Sequence, residues 1–415
     1  MKTYILTALL FATVHVFAQK VSDDDLNFEY KRLPADPACK GVTNYTSKVV
    51  LSYEAENAAK MEEYNKQMAG ADQQYEQDVK DYPEKVKQAE EKYKKEMEEW
   101  DKKSMGTKIA EKTMLGINDK PQKQIPQKPY KSYPSKPAMK KAYDKDMLAS
   151  TYLSLDGFTK NSSNAVVVTA TLMGFEAIEP QLKNETRNAY SNGATHPVNY
   201  CWYETSYKHP MSVKVEVPGK GEVLNQGIEQ FNQYVVAKTT ATEGSGQQMN
   251  REAYTQQLED KCIAENMKYI NQMVNEKYGY SKIKRGSVLY NIKPKGDNKY
   301  DDYQTAYESA MAGYNMIGSD PAAGKAKLKA SIDIWEKALL EYKSGGDKHA
   351  RVNDDVALST RFNLAEAYMW TDEYAKADEQ LIKTTSLDPS RRQRKWSEEF
   401  KTLMGEQKKR FEANK

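Results

Sequence analysis

The chain has 415 residues, 39% of them hydrophobic and 29% charged, with 62 Lys and Arg against 59 Asp and Glu. That length is ample for two or three domains with buried cores, and a formal charge of only +3 excludes a uniformly basic nucleic-acid binder. Tyr outnumbers Phe by 29 to 9, which favours half-buried aromatic surfaces whose hydroxyls stay wet.

Residues 1–18 read as a signal peptide. Lys2 gives a positive start, Tyr4 to Phe17 an apolar run, and Val16-Phe17-Ala18 a small-residue cleavage pattern ahead of Gln19. That run gives only about 21 Å of helix, short for a bilayer. No later stretch reaches transmembrane length, so the expectation is an exported chain without a membrane span after cleavage, periplasmic or outer-membrane-associated. No Cys follows the cleavage site, which speaks against a lipid anchor. Cys39, Cys201 and Cys262 are too few and too odd in number for a disulfide framework. One bridge with a spare thiol leaves the pairing open, and such sparse use fits a bacterial envelope protein.

Residues 19–53 carry strand and turn texture and form the first part of a β-rich domain. From Glu54 the pattern changes. Met61, Tyr64, Met68, Ala71, Tyr75, Val79, Tyr82, Val86, Ala89, Tyr93, Met97 and Trp100 recur by threes and fours, which predicts one long helix over 54–103. The stripe lacks Leu and Ile, so a tight coiled-coil dimer is not expected. Pro83 keeps the stripe in phase and predicts a kink in place of a hairpin. The region 54–149 then continues into a Pro-, Lys- and Gln-rich arm at 119–137 that prefers extended polyproline geometry. Between Glu54 and Asp101 stand 15 acids and 8 Lys; between Lys102 and Lys145, 12 Lys face 3 acids. The arm therefore either folds back over its own acidic helix or binds an external anionic polymer.

Residues 150–297 return to β texture and complete that domain. They include strands over AVVVTATL, NYCWYETSY and SVKVEV, a helix over Asn250 to Lys277, and a last strand SVLYNIKP. The fold class expected is α+β: a β-rich domain with a long helical insertion, followed by an all-α bundle. A Tyr-rich β surface (Trp202, Tyr203, Tyr207) with the Lys/Pro arm offers the alternative reading of a cell-wall glycan or peptidoglycan module.

Residues 298–391 are helical in short antiparallel-sized pieces. In 358–391, Leu364-Ala365, Tyr368, Tyr374, Ala377, Leu381 and Pro389 follow the pattern of a 34-residue helix-turn-helix repeat. Arg361 stands where the usual Trp would be, and Thr384 replaces a second-helix Ala. Tyr303, Tyr307, Met311 and Tyr314, then Ser331, Trp335 and Ala338, form a weaker copy around a turn at Gly318-Ser319-Asp320-Pro321. These stretches resemble the tetratricopeptide repeat family. The resemblance implies a stack of helix pairs whose first helices line a groove for a protein partner in the envelope, here through Ser359, Phe362, Glu366, Met369 and Trp370. Residues 392–415 are expected to form a solvated capping helix.

No catalytic, metal or cofactor site is read from the sequence. His196, Cys201 and His209 lack zinc spacing and a clear fourth ligand. Gly318 to Lys325 departs from a phosphate loop in glycine spacing and in having Ala326 where Ser or Thr belongs. The function expected is a non-catalytic exported scaffold or adaptor.

Overall fold

A computed structural model describes residues 20–114, 120–191, 193–244, 248–294 and 298–415. The leader and its cleavage site lie outside the described residues. The molecule is mixed α+β, with sheets toward the N-terminal side and helices toward the C-terminal side.

Strand β1 (Lys20–Lys31) leads to β2 (Asn44–Leu51), α1 (Glu54–Lys102), α2 (Met105–Met114) and α3 (Lys145–Tyr152). Next come β3 (Thr159–Lys160), β4 (Ala165–Leu172), β5 (Glu176–Ala177), β6 (Gln181–Ser191), β7 (Ala194–Lys208), β8 (Met211–Val217) and β9 (Gly221–Gly227). Then follow β10 (Val235–Lys238), β11 (Thr242–Glu243), α4 (Arg251–Tyr278) and β12 (Lys282–Lys293). Helices α5 (Asp301–Ile317), α6 (Pro321–Leu339), α7 (Asp354–Trp370), α8 (Tyr374–Thr384) and α9 (Arg391–Ala413) close the chain.

One five-stranded sheet runs in the order β3-β2-β4-β8-β9. β2 and β4 are parallel neighbours in register from Asn44 opposite Ala165 to Leu51 opposite Leu172. A parallel pair cannot be closed by a tight turn and needs a crossover; here α1, the arm and α3 are that crossover. β4 is buried along most of its length, as a central strand with both faces covered must be. Ile263, Met267, Ile270, Val274 and Tyr278 of α4 pack with the sheet's Val166, Val168, Met211, Val213 and Val215 in one core. A second sheet is organised around the long β7, with β5 and β6 along one side and β10 and β11 along the other.

Helix α1 has 49 residues, about 74 Å, and none of them is buried. Pro83 lies inside it without ending it. Side-chain pairs four residues apart support the exposed faces, among them Lys60–Glu56 and Gln67–Glu63. The arm runs back antiparallel on the helix: Lys123 meets Glu90 at 2.9 Å, the Tyr82 hydroxyl donates to the Pro126 carbonyl, Lys131 meets Asp72 at 2.8 Å, and the Lys140 amide donates to Asn57. From Asn57 to Glu90 is about 50 Å of helix, and from Lys123 to Lys140 about 53 Å of polyproline chain. The two lengths match. The half-buried positions of α1 include eleven of the twelve stripe residues, Val79 alone being exposed. Of the two readings open for the arm, it is the helix's own acids that the lysines meet.

The boundary between the two bodies differs from the expected one. Among the described residues β1 and β12 pair only with each other, Lys20 opposite Lys293 through Lys31 opposite Lys282. Their Leu26, Phe28, Tyr30, Leu289 and Ile292 belong to the core of the helical body. A two-stranded ribbon is marginal alone and needs a packing partner, and α5 and α7 supply it. Residues 20–31 and 282–293, expected in the β-rich domain, thus form part of the helical one.

Candidate functional site

The helical body is built on close approaches. A Cβ at Gly324 would come within 2.8 Å of the Gly313 carbonyl oxygen, so these glycines let α5 and α6 touch backbone to backbone. A Cβ at Gly318 would sit 2.5 Å from the Glu29 carbonyl oxygen, which lets the α5–α6 turn press on β1. The segment Gly318 to Lys325 is this turn together with the first residues of α6, with Asp320 accepting from the Ala323 amide and Pro321 opening the helix.

Helix α7 carries all five residues expected to line an open groove, and the structure corrects that expectation. Fourteen of its 17 residues are buried. Ser359, Phe362, Glu366, Met369 and Trp370 are 3%, 2%, 1%, 1% and 8% exposed. The ribbon and α9 occupy the face a partner would need. Phe362 stacks on Tyr290 of β12 and meets Trp396 of α9 edge-on at 5.1 Å. The Asn363 amide both accepts from the Tyr290 N–H and donates to its carbonyl, which satisfies an edge of the ribbon as a third strand would. Trp370 packs against Phe28 and Tyr30, and the Ser359 hydroxyl turns back to the Asp355 carbonyl.

Glu366 anchors this contact. Its carboxylate accepts two hydrogen bonds from Arg285, one from Ser287 and one from the Trp370 indole, at 2.9 to 3.1 Å. Burial disfavours the Arg285 charge, yet the facing Glu366 carboxylate outweighs it and holds the guanidinium above its ordinary pKa. Helix α9 is likewise more than a solvated cap. Phe400, Met404 and Arg410 are buried, and Arg410 donates to the carbonyls of Leu33 and Glu276 and pairs with the Glu276 carboxylate.

At the Trp370 end of α7 the cover is incomplete. A cavity of about 250 Å³ remains between the end of β1, the start of α6, α7 and α9. Tyr30, Ile317, Met369, Trp370, Tyr374 and Phe411 give it an apolar, largely aromatic wall. Its polar side chains include Lys31, Lys325 and Asp372, the last two paired with each other, and Gln407, which donates to the Tyr30 hydroxyl. Burial, reinforced by Asp372, pushes the Tyr374 hydroxyl well above its ordinary pKa, so it stays neutral. The volume is below the roughly 300–1,000 Å³ of sites that enclose a whole small molecule. It suits one apolar or aromatic side chain.

Other sequence candidates separate. Trp202 and Tyr200 share one face of β7, while Tyr203 and Tyr207 lie on the opposite one, as alternation along a strand requires. Arg187 lies over the rings of both Tyr200 and Trp202. Cys39, Cys201 and Cys262 are all free and buried. Burial pulls the His209 imidazole down to a pKa of about 4, and among the described residues neither ring nitrogen bonds to another residue. No group of three or more His, Cys, Asp or Glu among the described residues is placed to hold a metal ion. No helix among them is long and apolar enough to cross a membrane.

Compared with family models, curated proteins and solved structures, the chain matches none.

Proposed function

We propose that the chain is an exported, non-catalytic scaffold of the bacterial envelope, with α5–α8 serving as two tetratricopeptide-like helix pairs. The partner is a protein, and it docks where α7 emerges from beneath the ribbon, seating one apolar or aromatic side chain in the cavity beside Met369 and Trp370. The single observation carrying this reading is that cavity: an aromatic wall with a few convergent polar groups, the composition of a protein-interaction anchor. The leader pattern supports export. The glycan alternative draws no comparable support, because Trp202 is on the opposite face from Tyr203 and Tyr207 and its ring lies under Arg187.

The test is affinity purification of the tagged chain from envelopes, native beside Leu33→Trp, whose larger ring fills the cavity. The expected result is a partner recovered with the native chain and lost with the filled one, at unchanged thermal stability. Equal recovery from both argues against the reading.

A further inference from the structure

Strand β6 leaves one edge of its sheet open. It pairs with β7, and no strand among the described residues pairs with its other side. Residues 181–188 and Tyr190 are exposed. An edge of this length is a template for another strand unless something blocks it.

The bonds of β7 fix which backbone groups of β6 face outward. The carbonyls of Tyr203 and Asn199 accept from Thr239 and Gly244, on the β10–β11 side. The Ser206 carbonyl accepts from Ile178, on the β5–β6 side. Even-numbered residues of β7 therefore turn toward β6, and their register partners there are odd-numbered: Lys183 opposite Trp202, Glu185 opposite Tyr200, Arg187 opposite Val198. In an antiparallel strand, N–H and C=O of one residue point the same way. Leu182, Asn184, Thr186, Asn188 and Tyr190 consequently present theirs to solvent.

The side chains along this edge are complementary to themselves. About Thr186 the segment from Leu182 to Tyr190 reads as a near-palindrome of pairing types. Placed antiparallel to a second copy with Thr186 opposite Thr186, Glu185 faces Arg187 twice, Asn184 faces Asn188 twice, and Leu182 faces Tyr190 twice. The phase is the correct one, because Thr186 is an outward-turned residue and can exchange both backbone bonds with its copy. Glu185 and Arg187 then form non-hydrogen-bonded pairs, where side chains approach closest. Within one chain these two already pair at 2.8 Å, so two copies would close an alternating ring of four charges. Leu182 and Tyr190 are 45% and 75% exposed in the single chain, and this register covers both.

We infer that the open edge of β6 pairs antiparallel with β6 of a second copy of this chain, centred on Thr186, joining two sheets into one through a twofold axis.

Sedimentation velocity on the full chain over a concentration series tests this, with Thr186→Pro, Glu185→Arg and Arg187→Glu measured beside the native protein. Proline at 186 removes an outward donor and leaves the bonds to β7 intact. The native chain is expected to dimerise reversibly, and each variant to dimerise at least about tenfold more weakly. The two charge variants mixed in equal amounts are expected to regain near-native association, since Arg then faces Glu at both positions. Circular dichroism checks that each variant folds; should Thr186→Pro misfold, the charge pair and its mixture still decide. A native chain that stays monomeric throughout overturns the inference. So does a dimer indifferent to all three substitutions, or one that the mixture fails to restore.

Discussion

The helical body and the stalk of α1 with its arm are ordered by opposite means. In the first, α7 is buried along most of its length and its one buried acid, Glu366, is met by four donors. In the second, a helix of 49 residues buries nothing fully and is covered on one face by lysines, prolines and tyrosines. Burial of apolar surface is not weakened by charge screening, whereas exposed ion pairs are weak and screened. The contrast teaches that the two regions should fail under different stresses, and substitutions can press on each separately.

The largest effect is expected at Glu366. Glu366→Ala strands the Arg285 guanidinium, 16% exposed at its side chain, without its counter-charge. Breaking such a pair costs about 3–5 kcal/mol, read as a fall in chemical-denaturation stability. A loss below about 1 kcal/mol would mean the ribbon is not locked to α7 as described.

Acid should destabilise the β body next. Folding lowers the His209 pKa from 6.5 to about 4, so the unfolded state takes up a proton first. The stability is complete above pH 6.5 and is lost as pH falls toward 4, by about 3 kcal/mol in all. His209→Phe should flatten that portion of the stability–pH curve measured by urea titration.

The stalk should respond least to single changes. Lys131→Ala removes an exposed pair with Asp72 and should leave global stability in chemical denaturation nearly unchanged. Raising salt to 1 M, where the screening length falls to about 3 Å, should speed proteolysis within 120–140 and leave the helical body uncut. Equal sensitivity of both regions to salt would erase the distinction.

The stalk was the more legible part of the sequence, because its apolar stripe has one period and one partner, both local in the chain. The face covered by the arm is the face that Met61 through Trp100 mark out. The ribbon was not legible, since β1 and β12 lie some 250 residues apart and pairing over that distance leaves no periodic trace. One signal was present. Val356, Ala357, Leu358, Phe362, Leu364, Ala365, Tyr368, Met369 and Trp370 make α7 apolar all round, and such a helix is buried on all sides. Read so, it leaves no open groove and sends the search to its end. Phe362 and Glu366 belong to the interior; Met369 and Trp370 alone of the five reach the cavity.

The proposed docking of a partner side chain in that cavity is tested most directly by photo-cross-linking in intact envelopes. A photoreactive residue replaces Lys325 at the cavity in one variant and the exposed Tyr130 on the stalk in another. The account predicts a discrete protein adduct from position 325, absent from position 130 and abolished by adding Leu33→Trp. No adduct at 325, or one that survives the filled cavity, would contradict it.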